Sequence, residues 1–515
     1  MRVEQSPGLT RSTPAAEGIS DAAILNFVEA LSTELGAPHS MMLLVHGRVI
    51  AEGWWKPYLP DAQHMLFSVS KSFTSTAIGL LIDEGRLSLE SRVIELLPED
   101  LPAVVSANLA AMTVRDLLTM TSGHATDTLE AIERSAMAGG NNWAEAILAE
   151  PIVHVPGSTF IYNSGATYLL SAILTGITGQ RLIDYLTPRL FAPLGIQNPT
   201  WEQCPRGIDA GGWGLALTTE QIAAFGQLLL QGGLFQDARI VPAAWVAEAT
   251  AFQVPNGDAE LRDAEGLVTD GSQGYGYQFW RCQAPGGYRA DGAFGQMCIV
   301  LPEQDAVLVL TNGIESGQSA LSIVWEHLLP HLPLTTASPL ELTGVDVAGK
   351  DAAALRTALG ALELAHPVGT AFSVVAGRVS GQRYRLEAND LSLEAVTLSF
   401  GTGHVGAAAL TLNFAGIDFA LECGAGEWID AQLPFLAKGI IMTSQTPTHP
   451  VALAGAWVDA LTFLATIQYT ETPFALTLSM RFATEGPAEG SVVVRLSQSV
   501  SFGAKALLSA TGLTA

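Results

Sequence analysis

The first fifty residues change from a helical to a strand-like pattern of apolar positions. Apolar side chains recur at helical spacing between Ile19 and Leu35, which predicts a helix with one apolar face. SMMLLV and VIAEGWW follow, on either side of a His-Gly-Arg turn at residues 46–48, and this pattern predicts a β-hairpin. A helix-rich stretch then runs from about Ser68 to Leu230, interrupted by Gly- and Pro-containing loops.

A second pair of strands is predicted far along the chain. AFGQMCIVLP and AVLVLTNG are separated by the polar turn at residues 303–305, and the helical pattern LSIVWEHLL comes next. Because strands stand at both ends of a helix-rich stretch, we expect one sheet closed by distant parts of a single domain.

The pattern changes again near residue 331, where HLPLTTASPLELTGVDV is rich in Pro and Thr and favours a linker. Beyond it, segments such as ALTLNFAG and FALTLSMRF alternate with turn residues about every ten positions, which is typical of a β-sandwich or barrel. The length of 515 residues suits two or three domains. We predict a first domain at 1–335, a linker at 336–350 and a β-rich accessory domain at 351–515.

Charge and composition narrow the classes of partner. Fifty acidic against 25 basic side chains give a net charge of -25, which opposes binding to nucleic acid or to an anionic membrane. The N-terminus has no apolar signal region and no later segment is apolar enough to span a bilayer, so the expectation is a cytoplasmic protein. The four cysteines have no metal-binding spacing and are predicted to be reduced and mostly buried. No metal or organic cofactor is expected.

A candidate nucleophile stands at the start of a predicted helix in HMLFSVSKSFTSTAIGLLIDEG. Ser68 and Lys71 are three residues apart, so both side chains project from the same helix face. An amine at that distance accepts the hydroxyl proton if it is kept neutral, which requires partial removal from water. The chain has only five Lys residues, and the surroundings of Lys71 are otherwise uncharged.

A candidate proton-transfer partner lies in PGSTFIYNSGATYLL, where Tyr162 follows a Pro-Gly turn and precedes a predicted helix. Beside a Lys ammonium a phenol is more easily ionised, and it then acts as a general base and acid for Ser68. The alternative is a Tyr that anchors a loop by its hydroxyl.

Five segments in this order resemble the penicillin-binding proteins and class C β-lactamases: SVSKSFTS, TVRDLLTMTSGH, PGSTFIYNSGATYLLSAI, TPRLFAPLGI and GGWGLALTTEQIAAFGQLLLQGG. The resemblance covers about residues 13–329. It implies an α+β fold, with an antiparallel sheet flanked by helices beside an all-helical part. It also implies an acyl-enzyme mechanism with Ser68 as nucleophile, Lys71 as its activating partner and Tyr162 as the tyrosine of the second motif.

Two departures from the family pattern concern substrate binding. Ser164 stands where the family commonly has an Asn that contacts the substrate amide. The third motif, commonly Lys-Thr-Gly, is absent because no Lys lies between Lys71 and Lys350, and its strand is assigned to GYRADGAFGQMCIV. Arg289 is a candidate to replace the missing cation. An oxyanion-hole amide is expected between Arg289 and Gly292.

Several other motifs in the sequence have simpler, structural interpretations. GTGHVG at residues 401–406 is read as a turn, and His327 and His331 as structural residues. No GxSxG elbow is present. His124 is either a cleft residue or a loop residue with satisfied hydrogen bonds. The candidates for lining an apolar acyl pocket, or for filling the core, are Trp54, Trp55, Trp143 and Trp213.

Three hypotheses about function remain open. The first is a serine hydrolase for small ester or amide substrates, with weak or no β-lactamase activity because a substrate carboxylate lacks its usual cation. The second is a binding protein or pseudoenzyme in which the C-terminal β domain recognises the ligand. In the third, that domain shapes the cleft and limits substrate size. The oligomeric state is left open by the sequence.

Overall fold

The computed structural model describes residues 8–257, 269–335, 351–401, 407–438, 447–483 and 489–514. The predicted linker at 336–350 and residues 402–406 of the GTGHVG segment lie outside the described residues, so the division into domains stays a prediction.

The helices are bounded as follows. The α-helices are α1 (Asp21–Glu34), α2 (Ser70–Asp83), α3 (Val93–Leu96), α4 (Ala107–Ala111), α5 (Val114–Leu118), α6 (Leu129–Met137), α7 (Trp143–Leu148), α8 (Ser164–Thr178), α9 (Leu182–Leu186), α10 (Thr219–Leu230), α11 (Ala243–Thr250), α12 (Gly317–Ile323), α13 (Ala352–Gly360) and α14 (Ala376–Val379). Short 3₁₀ turns span Ala15–Glu17, Phe67–Val69, Pro98–Asp100, Asp270–Ser272, Ala293–Gly295, Pro302–Gln304 and Leu329–His331, and π-helical turns span Thr187–Phe191 and Val324–Leu328.

In the described ranges, the strands fall into two large sheets and two small ones. They are β1 (Pro38–Val45), β2 (Arg48–Trp54), β3 (His64–Met65), β4 (Thr200–Trp201), β5 (Leu215–Leu217), β6 (Leu234–Phe235), β7 (Ala238–Arg239), β8 (Trp280–Arg281), β9 (Tyr288–Gly292), β10 (Gln296–Leu301), β11 (Ala306–Asn312), β12 (Arg383–Leu386), β13 (Leu393–Phe400), β14 (Ala408–Phe414), β15 (Ile417–Cys423), β16 (Ile429–Leu433), β17 (His449–Trp457), β18 (Thr462–Tyr469), β19 (Ala475–Ala483), β20 (Ser491–Gln498) and β21 (Ala506–Thr514).

The first large sheet joins the two strand pairs predicted far apart in the sequence. Its antiparallel order is β2-β1-β11-β10-β9-β8, and β1 pairs with β11 through Met42–Val309 and Leu44–Val307. This confirms that distant parts of the chain close one sheet. β1 is buried along its whole length, with alternate residues facing two different apolar cores. Burial on both faces explains its nearly continuous apolar sequence.

Helix α2 runs through the centre of the helical part. Every residue from Ser70 to Leu81 is buried, and Phe73 stacks on Phe225 of α10 with ring centroids 3.9 Å apart. Full burial explains why Lys71 is the only charged residue in this stretch, since an unpaired charge away from water is costly. Four of the five hydroxyl side chains in this stretch of α2 bond to main-chain carbonyls, as Thr74 does to Gly211 O at 2.9 Å.

The second large sheet confirms the all-β prediction for the C-terminal part. Among the described residues it has ten antiparallel strands in the order β15-β14-β13-β12-β21-β20-β19-β18-β17-β16. Gly424, directly after the edge strand β15, donates to Leu453 O at 3.2 Å, and Gly455 donates to Gly424 O at 2.9 Å. Because β17 lies next to the opposite edge, these bonds bring the two edges together and make the sheet barrel-like.

The segment just after residue 350 packs on the first sheet rather than on the second. Lys56 donates to Leu362 O at 3.0 Å, and Leu364 donates to Lys56 O at 2.9 Å. Leu355 belongs to the apolar core that contains α1 and one face of β1. The first residues of the predicted β-rich segment therefore cover the other half of the molecule.

A buried cluster of rings joins the two halves beside the strand that leads to Ser68. His39 Nδ1 lies 3.0 Å from His64 Nε2, and Tyr58 stacks on His39 at 3.8 Å. The Tyr58 hydroxyl donates to Thr472 O of the second half at 2.8 Å. Burial lowers the pKa of His64 to about 4, and burial beside His64 lowers that of His39. The junction therefore holds neutral imidazoles.

No helix within the described ranges combines the length and apolar character needed to cross a bilayer. All four cysteines are buried and free of disulfide bonds, as the sequence analysis expected.

The junction is expected to weaken in acid. The folded-state pKa of His64, about 4, lies below the unfolded value of about 6.5, so the stability is complete above pH 6.5 and falls towards pH 4, by about 3 kcal/mol at full effect. The urea midpoint of wild type should fall over this range, and the fall should be shallower in His64→Gln. His331→Gln, at an exposed position, is the control. Equal slopes in all three proteins would contradict the prediction.

Candidate functional site

Ser68 lies in a tight helical turn at the entrance to α2. The 3₁₀ turn Phe67–Val69 leads directly into the helix, so the predicted helix start is right to within two residues. Main-chain amides in a first turn have no partner within the helix. The Ser68 N–H is therefore placed to bind an oxygen that stands in front of its side chain.

Lys71 contacts Ser68 as the three-residue spacing predicts. Its Nζ lies 2.9 Å from Ser68 Oγ, 2.8 Å from Gly212 O and 3.2 Å from Ser164 Oγ. The side chain is 1% exposed, and burial lowers its pKa to about 7, although Asp127 opposes the shift. A large share of Lys71 is therefore neutral near pH 7.

The three contacts of Lys71 match the neutral amine. A neutral amine has two N–H bonds and one lone pair. If Gly212 O and Ser164 Oγ accept the two N–H bonds of a neutral Lys71, its lone pair is free for the Ser68 hydroxyl. Gly212 is required here because an added Cβ would lie 2.8 Å from Ser164 O. This geometry is compatible with transfer of the Ser68 proton to Lys71.

Tyr162 lies close to both Ser68 and Lys71. Its side chain is close enough to that of Ser68 to interact with it, and its ring lies 4.8 Å from Lys71 Nζ. Burial raises the pKa of Tyr162 well above its ordinary value, which is opposite to the predicted easier ionisation. The easier ionisation expected for Tyr162 is therefore not supported, because burial of the phenol disfavours its charged form. A phenol that keeps its proton can donate it.

Ser164 is held in place at the N-terminus of α8. The preceding Asn163 caps the helix by accepting from Ala166 N, and Asp127 Oδ1 accepts from Ser164 N at 3.0 Å. The structure thus gives Ser164 a contact with Lys71, in addition to its place in the cleft lining.

Gly292 ends strand β9 against the Ser68 turn. An added Cβ at Gly292 would stand 2.3 Å from Leu66 O and 3.3 Å from Ser68 N. Such a close approach of two backbones needs glycine. The end of β9, continuing into Ala293, therefore lies beside the nucleophile, where the sequence analysis expected an oxyanion-hole amide.

Arg289 lies behind the cleft wall. It is 3% exposed, its Nε donates to Asp291 Oδ2 at 2.6 Å, and its Nη1 donates to Arg281 O at 2.8 Å. Its charge is thus paired with a carboxylate that itself lines the cleft. This placement does not support Arg289 as an anchor for a substrate carboxylate.

A cleft of about 500 Å³ opens in front of Ser68. Its aromatic lining residues are Phe67, Tyr162, Trp213, Trp280 and Phe502, and its acidic ones are Asp127, Glu133 and Asp291. Within the described part of the chain, no Lys, Arg or His lines it. The cleft is therefore apolar and negatively charged.

Of the remaining sequence candidates, only one Trp lines the cleft among the described residues. Of the four Trp candidates, Trp213 lines the cleft, Trp54 lines a different depression and Trp55 and Trp143 are buried in apolar cores. His124 is buried, 2.9 Å from Ser122 Oγ and 3.2 Å from Ile147 O, so it is a loop residue with satisfied bonds.

The residues that sequence reasoning missed are Asp127, Trp280, Asp291 and Phe502, which carry no local motif. Among the described residues, no cluster of His, Cys, Asp or Glu is arranged to hold a metal ion.

Comparison with known proteins assigns the family. The β-lactamase family profile matches residues 28–323, which is more than half of the 515 residues. The chain belongs to the β-lactamase family, which confirms the resemblance read from its motifs.

Two curated relatives are similar over this part of the chain. The 6-aminohexanoate-dimer hydrolase of Paenarthrobacter ureafaciens is 28% identical over 285 residues, covering 52% of this chain and 71% of that protein. Penicillin-binding protein 4 of Amycolatopsis lactamdurans is 28% identical over 325 residues, covering 55% and 81%. A solved structure, "Putative 6-aminohexanoate-dimer hydrolase from Bacillus anthracis", has a TM-score of 0.51 at 18% identity, covering 64% of this chain and 87% of that one. This structural likeness shows the fold alone.

The reactivity of Ser68 is expected to follow the protonation of Lys71. Because only neutral Lys71 accepts a proton, the rate of fluorophosphonate labelling should fall about tenfold per pH unit below pH 7 and level off above it. Intact-mass measurement between pH 5 and 9 checks this. Lys71→Arg, which stays charged, should label at no pH. A rate independent of pH, or one still rising at pH 9, would contradict the assignment.

Proposed function

We propose that this chain is a serine hydrolase that cleaves small ester or amide substrates through an acyl-enzyme. One observation carries the proposal: Ser68 Oγ stands 2.9 Å from the buried Lys71 amine at the base of an open cleft. Nucleophilic serine catalysis needs a hydroxyl, a base within hydrogen-bond reach and access for substrate, and the three occur together here.

Acylation uses both proton-transfer partners. Ser68 Oγ bonds to the substrate carbonyl carbon as its proton passes to neutral Lys71. The developing oxyanion is bound by the Ser68 amide and by an amide at the Gly292–Ala293 strand end, and each such donor is worth roughly 3 kcal/mol in the transition state. The bond to the leaving group then breaks, Tyr162 donates its phenol proton to that group, and the Lys71 ammonium returns a proton to Tyr162.

Deacylation regenerates the site. A water molecule attacks the acyl carbon as Lys71 takes its proton, and the carbon–Oγ bond breaks. Ser68 recovers the proton from Lys71, and the carboxylic acid leaves. These roles assign Ser68, Lys71 and Tyr162 as catalytic residues and give Ser164 the task of orienting the Lys71 amine.

The charge of the cleft favours neutral or cationic substrates. Its lining carries three carboxylates, while Arg289 is already paired with Asp291. A substrate carboxylate, as in a β-lactam, would meet repulsion without a compensating cation. The name of the Paenarthrobacter relative points to an amide substrate, and an amide or ester without a carboxylate near the reacting carbonyl suits this cleft.

The alternative of a binding protein or pseudoenzyme has less support. A site without catalysis has no need of a lysine desolvated against a serine hydroxyl. The 2.9 Å distance between Lys71 Nζ and Ser68 Oγ, with the Tyr162 ring 4.8 Å from the same nitrogen, supports the hydrolase instead.

The proposal is tested by the intact mass of wild type and Ser68→Ala after reaction with a fluorophosphonate probe, alongside hydrolysis of p-nitrophenyl acetate, p-nitroanilides and nitrocefin. Wild type should gain one adduct and turn over the ester or anilide, and Ser68→Ala should do neither because the nucleophile is gone. Ser509→Ala, at an exposed position of β21, is the control and should still label. If wild type does not label, the binding-protein hypothesis replaces this one.

Two esters that differ only in a carboxylate should be hydrolysed with different values of kcat/KM. Mono-p-nitrophenyl glutarate carries a carboxylate that p-nitrophenyl butyrate lacks, so its kcat/KM should be at least ~10-fold lower because like charges meet in a cleft with limited water. The difference should shrink in Asp127→Asn or at high salt. Equal kcat/KM values for the two esters would show that the cleft charge does not select substrates.

A further inference from the structure

Four phenylalanines from the two halves of the chain meet beside the nucleophile. Phe67 and Phe294 belong to the part that carries Ser68, and their rings lie 5.2 Å apart. Phe474 and Phe502 come from the β-rich half. Phe502 lies 4.7 Å from Phe294 and 6.1 Å from Phe67, and Phe474 lies 5.5 Å from Phe294. The β-rich half thus packs directly against the residue before Ser68.

Two of these phenylalanines have unusual backbones. Phe67 has φ 49° and Phe294 has φ 64°, in a region that is uncommon for residues other than glycine. Such conformations persist only where the surroundings hold them. Phe67 immediately precedes Ser68, and Phe294 follows the β9 end that faces it. Packing against Phe474 and Phe502 therefore supports the geometry of both sides of the reacting centre.

Phe502 itself reaches the cleft. It lies in the loop between β20 and β21, is 62% exposed, and lines the same cleft as Ser68. The loop is tied down, because Lys505 Nζ lies 2.8 Å from Glu315 Oε1 of the first half and Gln498 Nε2 donates to Ala504 O at 3.2 Å. A large apolar ring is thus held at the rim of the cleft, where substrate can touch it.

The side of the cleft on which Phe502 lies indicates which part of a substrate it contacts. Tyr162 is the proton donor to the leaving group, and its ring packs on Trp280 at 5.3 Å, so the leaving group belongs on that side. Phe502 packs instead on Phe67 and Phe294, which lie on the side of the Ser68 turn and the β9 end. The substrate oxygen needs only the two backbone amides on that side. Of the two groups that extend further from the reacting carbon, the acyl chain is therefore the one left for the side of Phe502.

We propose that Phe502 of the β-rich half is a specificity-determining residue that binds the acyl chain of the substrate. This inference rests on the proposed hydrolase function. It makes the C-terminal half a part of the catalytic cleft instead of a separate recognition module. An apolar wall of this kind favours longer acyl chains, since each methylene placed against apolar surface is removed from water.

The test uses two substrate series with Phe502→Ala, Phe502→Leu and wild type. In the first series p-nitrophenyl acetate, butyrate and hexanoate vary the acyl chain; in the second, acetate esters of p-nitrophenol and of 4-nitro-1-naphthol vary the leaving group. Phe502→Ala should lower the hexanoate-to-acetate ratio of kcat/KM roughly tenfold, and Phe502→Leu should lower it less. The ratio within the acetate series should stay unchanged.

A matched control is Phe372→Ala, which removes a 75% exposed phenylalanine of the same half that is not among the cleft-lining residues. Its two ratios should equal those of wild type. The inference is overturned if Phe502→Ala leaves the acyl ratio unchanged, raises it, or shifts the leaving-group ratio instead.

Fluorophosphonate labelling of each variant separates this inference from the proposed function. Labelled Phe502→Ala with unchanged selectivity overturns only the role of Phe502, whereas unlabelled wild type overturns the proposed function and with it this inference.

Discussion

The site depends on one constraint, which is that Lys71 is held almost completely away from water. A buried ammonium without a paired carboxylate is costly, and no carboxylate forms a direct ion pair with Lys71 among the described residues. Its pKa falls to about 7 as a result. The Gly212 carbonyl and the Ser164 hydroxyl each accept one hydrogen bond from Lys71. Two such acceptors suit a neutral amine, whose lone pair then faces Ser68.

The rest of the fold maintains the environment of Ser68 and Lys71. Helix α2 contributes Lys71 from within a fully buried stretch, and the capped start of α8 contributes Ser164. The first sheet brings the end of β9 against the Ser68 turn, where only Gly292 fits. The β-rich half adds an aromatic contact to the same region through Phe474 and Phe502. Residues far apart in sequence thus come together around Ser68 and Lys71.

The parts of this arrangement that could be predicted from the sequence are those with a local signal. Ser68 and Lys71 share one helix face, and the strands of the first sheet show in their apolar runs. Asp127 and Phe502 could not be found, because only tertiary packing brings them to the cleft. Arg289 was misjudged because residues two apart on a strand share a face, so the neighbouring Asp291 takes its charge.

The measurement that tests this account most directly is the titration of Lys71 itself. The chain has only five lysines, so ¹³C NMR of reductively methylated or ¹³Cε-labelled lysine gives few signals, and the Lys71→Arg variant identifies the one that belongs to Lys71. The account predicts that this signal titrates near pH 7, well below the ordinary value of about 10.4 for lysine. A midpoint above pH 9 would contradict the account, since Lys71 would then be an ammonium at neutral pH and unable to accept the proton of Ser68.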